Sequence, residues 1–175
     1  GPLFRVMCDN AYAVHDLDDD PPRLTNIMDT FRLHGSEDSL VLFGSTSKIT
    51  RAGSGISFIG GSTVTLDHFR KRMQVFMIGP DKVNQLRHVH FLRDSIGIRA
   101  HMRKHAEILR PKFDLVQARL SHALEGAGMG KWTNPRGGYF LSFDSLPGLA
   151  ADIVHLAAGA GVKLTPAGST FPYRQ

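Results

Sequence analysis

Residues 40–61 read LVLFGSTSKITRAGSGISFIGG, and the rest of the chain organises around them. Leu40 to Phe43 is an apolar run of strand length that breaks at Gly44 into a small polar turn carrying Lys48. Ile56 to Ile59 is a second short apolar run, bounded by Gly53, Gly55, Gly60 and Gly61. Lys48 is therefore expected in a loop between two core strands. Loops at strand ends are where rigid scaffolds present reactive groups, and a lysine held among apolar neighbours is driven toward its neutral, nucleophilic form. A solvated turn lysine is the plain alternative. A phosphate-binding P-loop needs glycine directly before the lysine and Ser or Thr directly after it, and Ser47 and Ile49 fail that test. Ser45 to Lys48 satisfies the S-x-x-K string of penicillin-recognising hydrolases, but the companion S-D-N and K-T-G strings are absent from the chain.

Upstream, Phe4 to Cys8 reads as a strand that delivers Asp9, Asn10 and Tyr12 at its end, although an Asp-Asn pair is also a common turn former. Residues 16–22, DLDDDPP, read as a solvated acidic loop. Leu24, Ile27, Met28, Phe31 and Leu33 then recur at helical spacing, with Thr25 or Asn26 near the start. Strand, helix, strand is the βαβ unit of an open α/β sheet. Ligands in such sheets bind beyond the carboxyl ends of the strands, where Asp9 and Lys48 both fall.

Ser45-Thr46-Ser47-Lys48 after an apolar strand, followed by glycine-rich chain, resembles the Schiff-base lysine region of fold-type I pyridoxal phosphate enzymes. More narrowly, it is similar to a bacterial aspartate aminotransferase-type group within the class I and II aminotransferases. Residues 78–88 (IGPDKVNQLRH), 135–140 (PRGGYF) and 164–173 (LTPAGSTFPY) resemble strings of the same group. The resemblance implies an α/β chain. Residues 1–97 would be the back half of the cofactor-binding large-domain sheet, 98–125 an interdomain helix, and 126–175 part of a small α+β C-terminal domain. It implies pyridoxal 5'-phosphate, held by Lys48, which would also shuttle a proton between substrate carbon and cofactor carbon. Asp9 matches the aspartate that pairs with the pyridinium nitrogen, Tyr12 the tyrosine that bonds the phenolic oxygen, and Ser45 a hydroxyl donor to the phosphate. Arg51 stands nearer the lysine than the family's phosphate arginine. It is either that ligand or a surface or subunit-contact residue.

The implied reaction transfers the amino group of aspartate, or a related dicarboxylic amino acid, to 2-oxoglutarate. Decarboxylation or elimination on the same fold, and a non-catalytic partner-binding role, are the alternatives. A homodimer is implied, because family sites are completed by residues from a neighbour. Family chains run to several hundred residues, and their upstream phosphate-cradling loop, their ring-stacking residue and the substrate-carboxylate arginine after the final Pro-Tyr have no match here. The expectation is a C-terminal piece that alone binds cofactor weakly and exposes sheet edge and apolar surface.

Further along, Leu66, Phe69, Met73 and Phe76 share one face of an expected helix over 65–76, and Pro80 is expected in the first turn of the next. Asn84 and Arg87 have no role that residue chemistry alone fixes. Ile98 to Leu124 reads as a long helix kinked or restarted at Pro111. His101 and His105 stand one turn apart on it; without the glutamate of H-E-x-x-H or a third ligand they read as solvated helix-face histidines, with no metal expected. A turn at 134–138, a strand over 139–143, a helix over about 148–160 and a short strand over 162–164 complete the pattern. In these 175 residues, 42% apolar content suffices for a packed core. Net charge is +5, but the basic residues are scattered and not interleaved with aromatics, so no nucleic-acid partner is expected. Single Cys8 excludes an internal disulfide framework, and no apolar stretch has the length of a membrane span, so a cytoplasmic chain without a membrane partner is expected.

Overall fold

The computed structural model describes residues 4–169 and 171. Strand β1 (Val6–Asp9) pairs in parallel with β2 (Leu40–Ser45), Asp9 lying opposite Phe43. Helix α1 (Ile27–Leu33) connects them, so the expected βαβ unit is present. Asn26 starts α1 by accepting the Met28 N–H at 3.2 Å. β2 then pairs antiparallel with β3 (Ser57–Gly61), giving the order β1-β2-β3. As the central strand, β2 is the most buried, and Leu40 is fully enclosed. β3 departs from the expected core strand. It forms an edge, and Phe58 covers Gly44 with one part of its ring while remaining 55% exposed.

Helix α2 (Thr63–Phe76) begins at Ser62, whose hydroxyl accepts the Thr65 N–H. Helix α3 (Lys82–Leu92) begins at Asp81, so Pro80 precedes the cap and does not occupy the first turn. Asp94 then opens α4 (Ser95–Leu124) by accepting the Ile96 and Gly97 N–H groups at 2.9 and 2.8 Å. Leu92, Met102 and Ile49 form a small buried cluster with Ile98 packed on it, which fixes the start of α4 against the lysine loop. Pro111 neither ends nor restarts α4. It removes one N–H from a helix of 30 residues, and the turns on both sides carry the helix across it.

The chain divides into two compact units, one of Gly1–Arg110 with Arg136–Tyr139, the other of Pro111–Pro135 with Phe140–Gln175. In the second, β4 (Gly130–Trp132) pairs antiparallel with β5 (Phe143–Ser145), with Trp132 stacked on Phe143. Gln117 ties this hairpin to α4, accepting from Trp132 Nε1 at 3.0 Å and donating to Thr133 O at 2.7 Å. The strand expected over 139–143 begins only at Phe143. Residues 136–139 belong to the first unit, where Asp16 bridges Gly137 and Gly138 donates to His15 O at 2.8 Å. Helix α5 (Ala150–Gly159) follows. No strand forms over 162–164, because the Val162 N–H is taken by Ala157 O and the Gly161 N–H by Ala158 O, closing the helix around Gly161 at φ 83. Of the 164–173 string, residues 170, 172 and 173 lie outside the described residues. Among the described residues no helix is long and apolar enough to cross a membrane.

Candidate active site

Residues 46–56 link the antiparallel strands β2 and β3, and their conformation is set at Thr46, which is 7% exposed. Its N–H donates to Ile56 O at 2.8 Å, and its hydroxyl oxygen accepts the Ile56 N–H at 2.7 Å. His88 on α3 donates from Nδ1 to Asn84 O at 2.9 Å, so its Nε2 is the acceptor and takes the Thr46 hydroxyl proton at 2.9 Å. Asn84 reaches the far side of the loop, donating to Ser54 O at 2.9 Å. That contact supplies the structural role which the sequence leaves open for Asn84.

The carbonyls beside the lysine are held by rings. Lys48 O accepts from His15 Nε2 and from the Tyr139 hydroxyl, each at 3.3 Å, and Ile49 O accepts from His101 Nε2 at 2.6 Å. A carbonyl can only accept, so His15 and His101 carry their protons on Nε2. His105 Nε2 lies 3.2 Å from the protonated His101 Nε2 and must present its lone pair there. Its proton is then on Nδ1, which donates to the Tyr139 oxygen at 3.3 Å. The expectation of solvated helix-face histidines is thus corrected: both are half-buried and hydrogen-bonded because the loop and residues 136–139 close over that face of α4. No group of three potential metal ligands occurs among the described residues.

Burial favours the neutral forms of His15 and His105. His15 is 2% exposed, and desolvation lowers its pKa below the ordinary 6.5 against the opposing pull of the Lys48 carbonyl. His105 is lowered by desolvation first, then by the neighbouring His101 and His15. Burial raises the Tyr139 phenol, which stays a donor. The acidic loop is less solvated than expected. Asp18 binds Arg136, which holds its carboxyl below the usual range, and pairs with Arg110 at 3.3 Å, while Leu17 is buried. These pairs fasten Tyr139's segment to the first unit.

Asp9 ends β1 and Ser45 ends the adjacent β2, two residues beyond the Asp9–Phe43 pair, so the strand ends bring both beside the turn that carries Lys48. Lys48 itself is exposed. It is not enclosed by apolar side chains as its neighbouring strands suggest, because the loop projects past the end of the sheet. Tyr12 is half-buried, edge-on to Tyr139 with ring centres 5.7 Å apart. Ser45 Oγ donates to Ser47 Oγ at 2.8 Å and accepts the Ser47 N–H at 3.0 Å, a hydroxyl pair in which sequence reading singled out only the first member. Arg51 and Ser45 line different cavities. Arg51 lines one of about 440 Å³ with Ser54, Asn84, Arg87 and His88, whereas Ser45 lines an apolar one of about 460 Å³ with Asn10, Leu42, Phe43 and Ile98.

These donors suit pyridoxal phosphate. Lys48 offers an amine and Asp9 an exposed carboxylate, neither engaged by another side chain among the described residues, and two serine hydroxyls cluster where a phosphate needs donors. A parallel βαβ unit with a lysine loop after its second strand is the scaffold of fold-type I aminotransferases. The profile of the aspartate amino-transferase family matches residues 1–175, and the chain belongs to that family. It is 45% identical over 174 residues to an aspartate aminotransferase of Corynebacterium glutamicum, covering 99% of this chain and 40% of that protein. The solved structure of an aspartate transaminase from the same organism superposes with a TM-score of 0.91 at 45% identity, over 98% of this chain and 41% of that one. An alpha-aminoadipate aminotransferase of Thermus thermophilus, solved with N-(5'-phosphopyridoxyl)-L-leucine, shares the fold at TM-score 0.73 and 22% identity, covering 94% and 41%. The chain spans about 40% of the length of the curated relatives it matches.

Proposed function

We propose that the chain carries the cofactor lysine of a pyridoxal-phosphate-dependent aminotransferase that moves the amino group of aspartate, or a related dicarboxylic amino acid, to 2-oxoglutarate. The observation that carries this reading is Lys48, held by its own carbonyl in a clamped loop beside the carboxyl ends of two parallel strands, one of which ends in Asp9. Residues 1–97 are the part of the cofactor domain in this reading, and 126–175 part of a smaller domain. Pyridoxal phosphate, when bound, supplies an electron sink for charge developing at the substrate α-carbon. Lys48 holds the cofactor and then moves the α-proton with its amine. Asp9 would pair its carboxylate with the ring nitrogen and so favour that nitrogen's protonated form. Tyr12 orients the ring through its phenol, and Ser45 with Ser47 donates to the phosphate. The homodimer and a cytoplasmic setting follow from the same family reading. Trapping with borohydride in the whole protein tests it: cofactor should become fixed to Lys48, Lys48→Ala should abolish fixation, and aspartate with 2-oxoglutarate should yield oxaloacetate. Fixation on another residue, or carbon dioxide release in place of oxaloacetate, would overturn it.

A further inference from the structure

The two helix histidines, His15 and Tyr139 contact neither substrate nor cofactor in the reading above, yet three of the four bond two consecutive carbonyls of the lysine loop, and the fourth, His105, bonds two of those three. We propose that His15, Tyr139, His101 and His105 are positioning residues that fix the Lys48 backbone, and through it the direction of the Lys48 amine. The proposal rests on the reading of Lys48 as the cofactor lysine.

Lys48 lies in the turn following Thr46, with the Ile49 and Thr50 N–H groups both bonded to Thr46 O, at 3.1 and 3.0 Å. Those bonds fix the amides of the turn but leave its carbonyls facing away. Each carbonyl then meets a ring borne by another element. His15 comes from the loop after β1, Tyr139 from the segment tied down by Asp18 and Arg136, and His101 from α4. His105 touches no carbonyl. It orients Tyr139 instead, accepting no proton from it and donating one, which leaves the phenol proton for Lys48 O. The peptide plane that follows Lys48 and the next one, after Ile49, are thereby each held through both N–H and carbonyl, and an exposed side chain keeps a defined root.

The proton arrangement makes a distinctive prediction. His101 donates from Nε2, a position that the amide of glutamine reproduces and that of asparagine does not. His105 donates from Nδ1, which asparagine reproduces and glutamine does not. In the whole, cofactor-free protein, His101→Asn and His105→Gln should each speed hydrogen exchange of the Ile49 and Thr50 amides about fivefold, as expected for one lost hydrogen bond. Borohydride-trapped attachment of pyridoxal phosphate to Lys48 should slow by about the same factor in both. His101→Gln and His105→Asn should restore both rates. Tyr139→Phe, which keeps the ring and loses the donor, should behave as the donor-loss variants do and decides the matter if an amide pair fails to fold. Rates indifferent to which amide is used would overturn the proposal. Faster exchange with unchanged trapping would also overturn it, since the clamp would then be structural only. The opposite-amide pattern in exchange, with no attachment to Lys48 in the parent protein, would leave the clamp standing and remove the cofactor reading.

Discussion

At the scale of single residues, the lysine loop tolerates little, and the reason is local crowding around Ser47. A Cβ added at Gly55 would stand 2.1 Å from Ser47 Oγ and 2.7 Å from both Ser47 Cα and N, so backbone would have to move. Gly55→Ala should lower the unfolding free energy by about 1–3 kcal/mol, the usual range for overpacking, seen as a reduced urea midpoint at unchanged slope. Thr46→Val keeps the shape of the side chain but leaves the Ile56 N–H without its hydroxyl partner and His88 Nε2 with only the longer Thr50 Oγ1 contact at 3.3 Å; a further loss of about 1–3 kcal/mol is expected from the same titration. Buried His15 and half-buried His105 add a dependence on pH. His15 and His105 have folded pKa values depressed below the ordinary 6.5, His15 chiefly by burial and His105 by burial and then by His101. The unfolded chain therefore binds protons first as pH falls. Stability is fully present above about pH 6.5 and is lost as pH drops through the lower folded values. The urea midpoint should fall across this window, and His15→Gln, which keeps an Nε2 donor but does not titrate, should flatten part of the fall. An unchanged slope in that variant would remove His15 from the account.

At the scale of elements, the junction of α3 and α4 concentrates conformational strain. Arg93 lies at φ 63 and ψ −75, with the Asp94 N–H bonded to Leu92 O at 2.8 Å, a γ-turn of the positive-φ kind that side chains resist. Arg93→Gly removes the resistance and should raise the unfolding free energy by about 1 kcal/mol, measured by thermal or urea unfolding. Gly97, whose added Cβ would meet Leu92 O at 2.1 Å, should behave in the opposite sense when changed to Ala. Nothing in the sequence marks Arg93 as strained, whereas α4 after it was legible from apolar spacing and α3 before it was expected from its family-like string and Pro80. The contrast runs through the chain. β1, α1, β2, α2, α4 and α5 rest on local periodicity and caps such as Asn26, which a sequence displays. The exposed face of β3, the continuity of α4 across Pro111 and the capture of the Val162 N–H by a helix end depend on what else packs or bonds nearby. The site divides in the same way. Asp9, Ser45 and Lys48 lie at or just past strand ends, where local apolar runs place them, and the roles proposed for them come from the family resemblance. The clamp is not legible, because its partners are far apart in sequence: His15 and Lys48 are separated by 33 positions, His101 and Ile49 by 52, Tyr139 and Lys48 by 91.

At the scale of the whole molecule, surface area makes the strongest demand. The chain exposes 13,856 Å². A compact protein of 19.3 kDa exposes about 8,500 Å², and even two independent compact bodies sharing that mass would expose about 10,000 Å². The excess of roughly 4,000 Å² lies in the range buried by obligate assemblies. Its chemistry fits that role: Leu33 and Phe76 are each 85% exposed, Met7 72% and Phe4 65%, while six apolar residues are the only ones counted as core among the described residues. Met7 lies on β1, an edge strand whose outer backbone groups have no strand beside them in this sheet. Such a surface is stable when other polypeptide covers it, whether from a longer chain or from a second copy. The 175-residue chain by itself should therefore sediment as a heterogeneous, concentration-dependent series and bind a hydrophobic dye strongly, while the whole protein at the length of its relatives should sediment as one species and bind little. Replacing Met7 with Lys should reduce association of the short chain by disfavouring strand pairing at that edge. A short chain that sediments as a single monomer with low dye binding would mean that the exposed apolar faces close on one another in solution, and the case for an external covering would fall.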